Sequence, residues 1–257
     1  MECSEDSREG NYVFFDNIES YIKYAEEAEN TKIEGKVDKE CGQFSKDWRS
    51  MFKTEEIAKN TCGHFMNLYK KFPSLKDNND PNYEKDYSFL NYWINMKIYI
   101  NKNNENTCVQ SFYRNIDAYV DQILTDYTSI VELYDIIKDD FNKINILYIL
   151  YKNYYKLKSG LSTILETNKT SLLPYSNECY DTYKIAETML NDQDTTFNEK
   201  LTKFTSDYIK LYPKFEEKEK EFNIYFKRLS DKQINIITTS VFGSLVGLIP
   251  FMGILYK

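Results

Sequence analysis

The sequence predicts an all-α protein, in which a helical bundle is followed by one C-terminal transmembrane helix. Glycine (8) and proline (5) are scarce among the 257 residues, which disfavours turn-rich sandwiches and barrels and favours long helices. Apolar residues recur at three- and four-residue steps through residues 12–230, and no alternating strand pattern competes with them. The stretch 233–256 carries no charged side chain and is mostly apolar, as a membrane-spanning helix would be.

The composition suits a folded protein that does not bind nucleic acid. Hydrophobic residues make up 42% of the chain and charged residues 28%, which is enough apolar material for a packed core. The 33 basic and 40 acidic residues give a net charge of -7. Because phosphate contacts require a basic face, nucleic acid is not an expected partner.

The helices of the bundle are predicted from the period of their apolar residues. Thr54 is expected to cap the second helix, and Pro73 to end it. The cleanest period runs through residues 112–137, which predicts one helix of about 30 residues or two helices in line. The other predicted helices are 12–29, 54–72, 86–100, 141–165, 178–190 and 195–212.

Polar stretches separate these helices. Residues 76–84, 101–106 and 167–176 are predicted to be surface loops, because each is polar or contains proline. Residues 214–232 are highly charged and amphipathic, which predicts a stalk leading to the membrane. The predicted organisation is therefore a helical domain over 1–213, a stalk over 214–232 and a membrane helix over 233–256.

The membrane prediction rests on length and on the absence of charge. At about 1.5 Å per residue the stretch 233–256 would span roughly 36 Å, enough for a hydrocarbon core of about 30 Å. Lys232 and Lys257 flank it and would lie at the headgroup layers. A buried helix of a soluble core is the alternative. The residues expected to contact the lipid bilayer are Ile234, Ile236, Ile237, Val241, Phe242, Leu245, Val246, Leu248, Ile249, Phe251, Ile254 and Leu255.

The N-terminus shows no apolar run of the kind that a signal peptide needs. Residues 1–10 are acidic and polar. The chain is therefore expected to reach its membrane through its C-terminal stretch or by an unconventional route.

The cysteines leave two interpretations open. They contain no closely spaced pair, and the single histidine argues against a zinc site, so no metal is expected. They could be reduced thiols of a cytosolic protein, or an oxidised framework with one cysteine left over. All five are disulfide candidates: Cys3, Cys41, Cys62, Cys108 and Cys179.

No catalytic or cofactor-binding motif stands out. The chain lacks phosphate-binding glycine loops, zinc-protease motifs and nucleophile elbows. Cys62 and His64 lie two positions apart on a predicted helix, so their side chains point roughly 200° apart and are poorly placed to act together. We therefore expect no catalytic residues and no cofactor.

Six short runs, taken in chain order, carry a family resemblance. They are Cys41–Phe44 with Trp48, residues 56–72, Phe89–Ile94, Cys108–Tyr113, Leu133–Ile136 and Ile144–Tyr148. Together with the hydrophobic segment at the end of the chain, they resemble the PIR (Plasmodium interspersed repeat) superfamily, and most closely its VIR proteins from vivax-type malaria parasites. Tyr87 and Tyr180 depart from the resemblance, because many members have cysteine at these positions, and the disulfide pairing therefore stays open.

The resemblance implies a disulfide-stapled helical ectodomain of a variant protein, exported to the infected red cell or its surface. Such proteins are thought to act in antigenic variation, adhesion or binding of immune receptors, without catalysis. The expected partner is therefore a host receptor or an antibody. The alternative, which the C-terminal position of the apolar stretch favours, is a tail-anchored intracellular scaffold or trafficking protein with reduced cysteines.

Overall fold

A computed structural model describes residues 7–104, 107–124, 130–163, 169–213 and 226–229. Within these ranges the secondary structure is helical apart from two isolated β-bridges, so the predicted all-α class is confirmed. Short 3-10 helices precede α1, α4 and α7. The α-helices are α1 Ile18–Asn30, α2 Gly35–Asp47, α3 Glu55–Tyr69, α4 Tyr83–Asn101, α5 Val109–Ile123, α6 Lys138–Thr163, α7 Leu173–Thr188 and α8 Thr195–Ile209.

The prediction of a transmembrane helix is wrong for the part of the chain that the structure describes. No helix there is long and apolar enough to cross a membrane. Even α4, the most deeply buried helix, carries Asp86, Asn91 and Asn95 among its buried residues, because their polar groups bind neighbouring segments. The stretch 233–256, with every residue expected to contact lipid, lies outside the described residues. For the described residues, the fold class is therefore corrected to a helical bundle.

Helix α4 forms the centre of the bundle, where it contacts α3, α5 and α6. It starts after a turn that ends the 3-10 helix Pro73–Lys76, and it buries Phe89 and Trp93 completely. The ring centre of Phe89 lies 4.7 Å from that of Tyr21 on α1 and 5.4 Å from that of Phe14, in the 3-10 helix Val13–Asn17. Aromatic edge and face contacts of this kind dominate the core.

The prediction of helix through residues 112–137 is wrong for residues 130–137. Helix α5 ends at Ile123, and residues 130–137 run without helix across α4. Asn91 Oδ1 accepts from the backbone N–H of Tyr134, and Asn95 Oδ1 accepts from that of Ile136, both at 3.0 Å. Asn95 Nδ2 also donates to the carbonyl of Tyr134. These buried amides replace helical hydrogen bonds, and the apolar period alone does not reveal them.

The same segment also organises the start of α5. The Asp135 carboxylate accepts from the backbone N–H groups of Val109 and Gln110, at 2.9 and 3.2 Å, and so caps α5 from outside its own sequence. The backbone of Arg8 exchanges hydrogen bonds with Asp135 and Ile137 in a parallel bridge. A continuous helix here would lose both the cap and the bridge.

Replacing Asn95 by alanine is expected to lower the free energy of unfolding by about 2 kcal/mol, because two backbone groups of the 130–137 segment would lose their buried partners. Asn153→Ala is the matched control. Asn153 also lies within a helix and donates to the carbonyl four residues earlier, but it binds no distant segment. Chemical denaturation should show a loss under about 0.5 kcal/mol for the control. Equal losses would contradict the role given to Asn95.

Two of the three predicted loops are more ordered than their polarity suggests. Asn103 and Asn104 bind the backbone of Met51 and Ser50, so the 101–104 turn is tied to the end of the α2–α3 connection. The predicted loop 167–176 is helical from Lys169 onward, and Ser176 is fully buried. Only the turn over 77–82 is exposed along most of its length, as predicted.

Candidate functional site

Helices α2 and α3 form a disulfide-linked pair at one corner of the bundle. Cys41 and Cys62 are joined by a disulfide, their Cα atoms lie 5.5 Å apart, and both are fully buried. Helix α2 was not predicted from the sequence, although Val37, Cys41 and Phe44 recur at helical steps and are buried. Gly35 opens α2 with a φ of 62°, a conformation that favours glycine.

The remaining cysteines differ in state. Cys108 is also disulfide-bonded, and Cys3 lies outside the described residues. Cys179 is a free thiol buried between α7 and α6, with its Sγ 3.7 Å from the carbonyl oxygen of Leu150. Burial raises the pKa of this thiol far above its ordinary value, which keeps it protonated and unreactive.

An open cleft lies between the end of α1 and the facing sides of α2 and α3. We call it the corner cleft. It has a volume of about 420 Å³, and its wall mixes acidic, basic and amide side chains. Its lining residues are Glu29, Asn30, Thr31, Lys32, Ile33, Asp38, Glu56, Lys59, Asn60 and His64.

The floor of the corner cleft is closely packed. Ile33 follows the end of α1 and packs onto α3 at Gly63, where a Cβ atom would lie 2.3 Å from Ile33 Cδ1. Any larger side chain at position 63 would therefore force Ile33 to move. Asn67 Nδ2 donates to the carbonyl oxygens of Ala28 and Thr31, each at 3.3 Å, and holds the α1–α2 turn against α3.

Fixed ion pairs set the charge of the cleft. Lys59 and Asp38 join α3 to α2 at 2.7 Å. Glu29 accepts from Trp93 Nε1 at 3.0 Å and pairs with Lys97 Nζ at the same distance, so its carboxylate is held by α4. These side chains are oriented by partners in the protein, which prepares the cleft to bind polar groups at low entropic cost.

His64 is the single titratable group of the cleft with its ordinary pKa near neutrality. Burial is the main reason why the pKa of His64 is lowered; the Lys97 charge lowers it further, and the Glu29 charge opposes both. Neutral imidazole can donate and accept one hydrogen bond each. Cys62 lies in the disulfide, so the two residues form no nucleophile–base pair, as their spacing predicted.

The pH dependence of stability should reveal this shift. Because folded His64 resists protonation, the unfolded chain takes up the proton first, and stability falls as the pH drops below the ordinary histidine pKa of about 6.5. Above that pH the group contributes no slope. His64→Gln should remove this part of the slope, measured as the difference from wild type.

NMR provides the direct check, because the chain has one histidine and its ring signal needs no assignment. The midpoint of the titration is expected below that of a histidine in an unfolded peptide. A midpoint at or above the peptide value would contradict the desolvated position of His64.

Asp140 and Tyr87 lie outside this cleft and bind backbone groups of other segments. Asp140 accepts from the backbone N–H of Gly10 at 2.9 Å, so it anchors the N-terminal segment. Tyr87 donates to the carbonyl of Glu132 at 2.7 Å. Among the described residues, no cluster of three or more histidine, cysteine or acidic side chains could hold a metal ion.

No family model, curated protein or solved structure matches this chain. The PIR resemblance therefore stays a prediction from the sequence.

Proposed function

We propose that the chain is an exported variant protein of the PIR type, which acts by displaying a stable helical surface to a host receptor or antibody. The observation that carries this proposal is the disulfide between Cys41 and Cys62, which joins the two helices that line the corner cleft. Disulfides of this structural kind persist in oxidising spaces outside the cytosol. The Cα separation of 5.5 Å between these two buried cysteines lies within the range of native disulfides.

The corner cleft is the proposed contact site on that surface. Its backbone is fixed by the disulfide, by Gly63 and by the Asn67 hydrogen bonds, while its rim carries exposed Lys32 and Glu56. A rigid polar concavity suits a protein loop that carries both signs of charge.

In this proposal, the exposed turn over 77–82 is the surface whose sequence varies. The side chains of Asp77 and Asp80 accept from the backbone N–H groups of Asn79 and Asn82, so the turn is stabilised by its own residues. Its sequence can therefore vary at little cost to the core.

Surface labelling of intact infected red cells tests the proposal. A membrane-impermeant, lysine-reactive biotin reagent is applied, and the chain is recovered with an antiserum and analysed by mass spectrometry. We expect labelling before permeabilisation. Labelling only after permeabilisation would contradict display at the cell surface.

The same spectra test the cleft through two matched lysines. Lys32 lines the cleft and Lys23 lies on α1 outside it; both are highly exposed, and each is paired with one glutamate. If a host partner fills the cleft, labelling of Lys32 relative to Lys23 should be at least twofold lower on cells than on the isolated protein. An unchanged ratio would contradict the cleft as the contact site.

A further inference from the structure

A short segment over 226–229 lies in a groove between α7 and the end of α8. The segment has the sequence Phe-Lys-Arg-Leu, and its two apolar ends are buried while its lysine is exposed. We call this surface the α7–α8 groove. It is formed by Ser176, Tyr180, Tyr208 and Tyr212.

Two buried hydroxyls of the groove bind the backbone of Lys227. The N–H of Lys227 donates to Ser176 Oγ at 2.6 Å, and its carbonyl accepts from Tyr208 Oη at 3.0 Å. The two hydroxyls lie 3.4 Å apart. Since each has one proton, Ser176 donates to Tyr208 and closes a ring of three hydrogen bonds. Burial raises the pKa of Tyr208, which keeps its hydroxyl a donor.

The apolar ends of the segment fill aromatic positions. The ring of Phe226 stacks on Tyr208 at 5.1 Å and meets the edge of Tyr212 at 5.6 Å. Leu229 is 1% exposed, and its N–H donates to Tyr212 Oη at 2.9 Å. The groove therefore fixes the register of the segment at both ends.

The two basic side chains between these ends lie over aromatic rings. Lys227 Nζ is 5.0 Å from the ring centre of Tyr180, and the guanidinium of Arg228 is 5.5 Å from that of Tyr212. Each contact selects a cation at that position of the segment.

We propose that the α7–α8 groove is a recognition site for this extended segment, and that the segment of a second copy of the chain can occupy it in exchange. Proteins that recognise extended peptides bind the peptide backbone, which gives affinity, and bind particular side chains, which fixes the register. A second copy carries the identical ligand, so exchange needs no new contacts and produces a symmetric dimer. This inference does not depend on where the protein is displayed.

The wild-type chain fills its own groove most of the time. A tethered segment has an effective concentration on the order of millimolar, which outcompetes a second copy in dilute solution. Exchange must therefore be tested with two full-length variants in which the contact between the segment and the groove of the same chain is weakened. The first, Phe226→Ala/Leu229→Ala, keeps the groove and loses the ligand. The second, Ser176→Ala/Tyr208→Phe, keeps the ligand and loses the hydroxyls of the groove.

Sedimentation velocity of the two variants, alone and mixed, gives the test. We expect a one-to-one complex in the mixture and monomers for each variant alone. A labelled synthetic peptide of residues 224–231 serves as the control for groove competence. It should bind the first variant at least tenfold more tightly than wild type, in which the groove is occupied, and roughly tenfold more tightly than the second variant, which lacks the hydroxyls.

Two results would overturn the inference. If the peptide binds the first variant but the mixture contains no complex, the groove does not accept a second copy. If the peptide binds neither variant while both unfold cooperatively like wild type, the groove is not a recognition site. Hydrogen exchange in wild type adds a check that requires no disruptive change. The amide of Leu229 should be protected, and Tyr212→Phe should abolish that protection.

Discussion

Replacing Cys41 and Cys62 together by alanine is expected to lower the free energy of unfolding by about 3 kcal/mol. The disulfide joins residues 21 positions apart, and a loop of that length restricts the unfolded chain by roughly this amount. Both side chains are fully buried, so alanine avoids adding unpaired hydroxyls. Denaturant titration of the non-reduced protein measures the change.

The two single variants provide the control, because each of them breaks the same bond. Cys41→Ala, Cys62→Ala and the double variant should therefore lose similar stability, within about 0.5 kcal/mol. Losses that add from the single variants to the double variant would mean that the two residues contribute separately and form no bond.

Phe89→Ala is expected to lower the free energy of unfolding by about 3–5 kcal/mol, the largest effect of a single substitution that we predict. The Phe89 side chain is fully buried in the centre of α4, where its ring meets those of Phe14, Tyr21 and Phe72. Alanine would leave a cavity that the rigid neighbouring rings cannot fill. The measurement is chemical denaturation followed by circular dichroism.

Two further variants separate core packing from general sensitivity of the helices. Phe89→Leu keeps most of the apolar volume and should cost about 1.5 kcal/mol or less. Ile185→Ala, on α7 at 53% exposure, should change stability by about 0.5 kcal/mol at most. If Phe89→Ala cost no more than Ile185→Ala, the central position of α4 would be contradicted.

The run Phe89–Trp93, one of those that carry the resemblance, is core sequence. Phe89, Tyr92 and Trp93 are fully buried, and Trp93 also binds Glu29 of the corner cleft through a hydrogen bond. The resemblance over this run therefore concerns buried positions, and it carries no information about an exposed binding surface.

The spacing of apolar residues along the sequence predicted the helices correctly where side-chain packing alone determines the backbone conformation. It predicted α3, α4, α6 and α8 close to their observed bounds, including the Thr54 cap, whose side chain accepts from Ile57 N at 3.1 Å. The same spacing predicted a helix wrongly where buried side-chain amides compete with the hydrogen bonds of a helix. Residues 130–137 have helical spacing, but Asn91 and Asn95 bind their backbone in a non-helical form.

The corner cleft and the α7–α8 groove could not be predicted from the sequence, for a different reason. The corner cleft combines Glu29, His64 and the α2 helix, which are distant in sequence and carry no motif. The α7–α8 groove depends on hydroxyls such as Tyr208 that bind backbone atoms, and such pairings leave no spacing signal. Cysteine counting left the oxidised and reduced states open, because only the three-dimensional proximity of Cys41 and Cys62 distinguishes a pair from two thiols.

A map of free and bridged cysteines tests the central claim, that this is an oxidised bundle working outside the reducing cytosol. The protein is taken from its native cells with thiols blocked, without reduction, and its peptides are analysed by mass spectrometry. We predict a Cys41–Cys62 bridge, a bridged Cys108 whose partner the map identifies, and a free Cys179. Free thiols at Cys41 and Cys62 would contradict the claim and place the bundle in a reducing compartment.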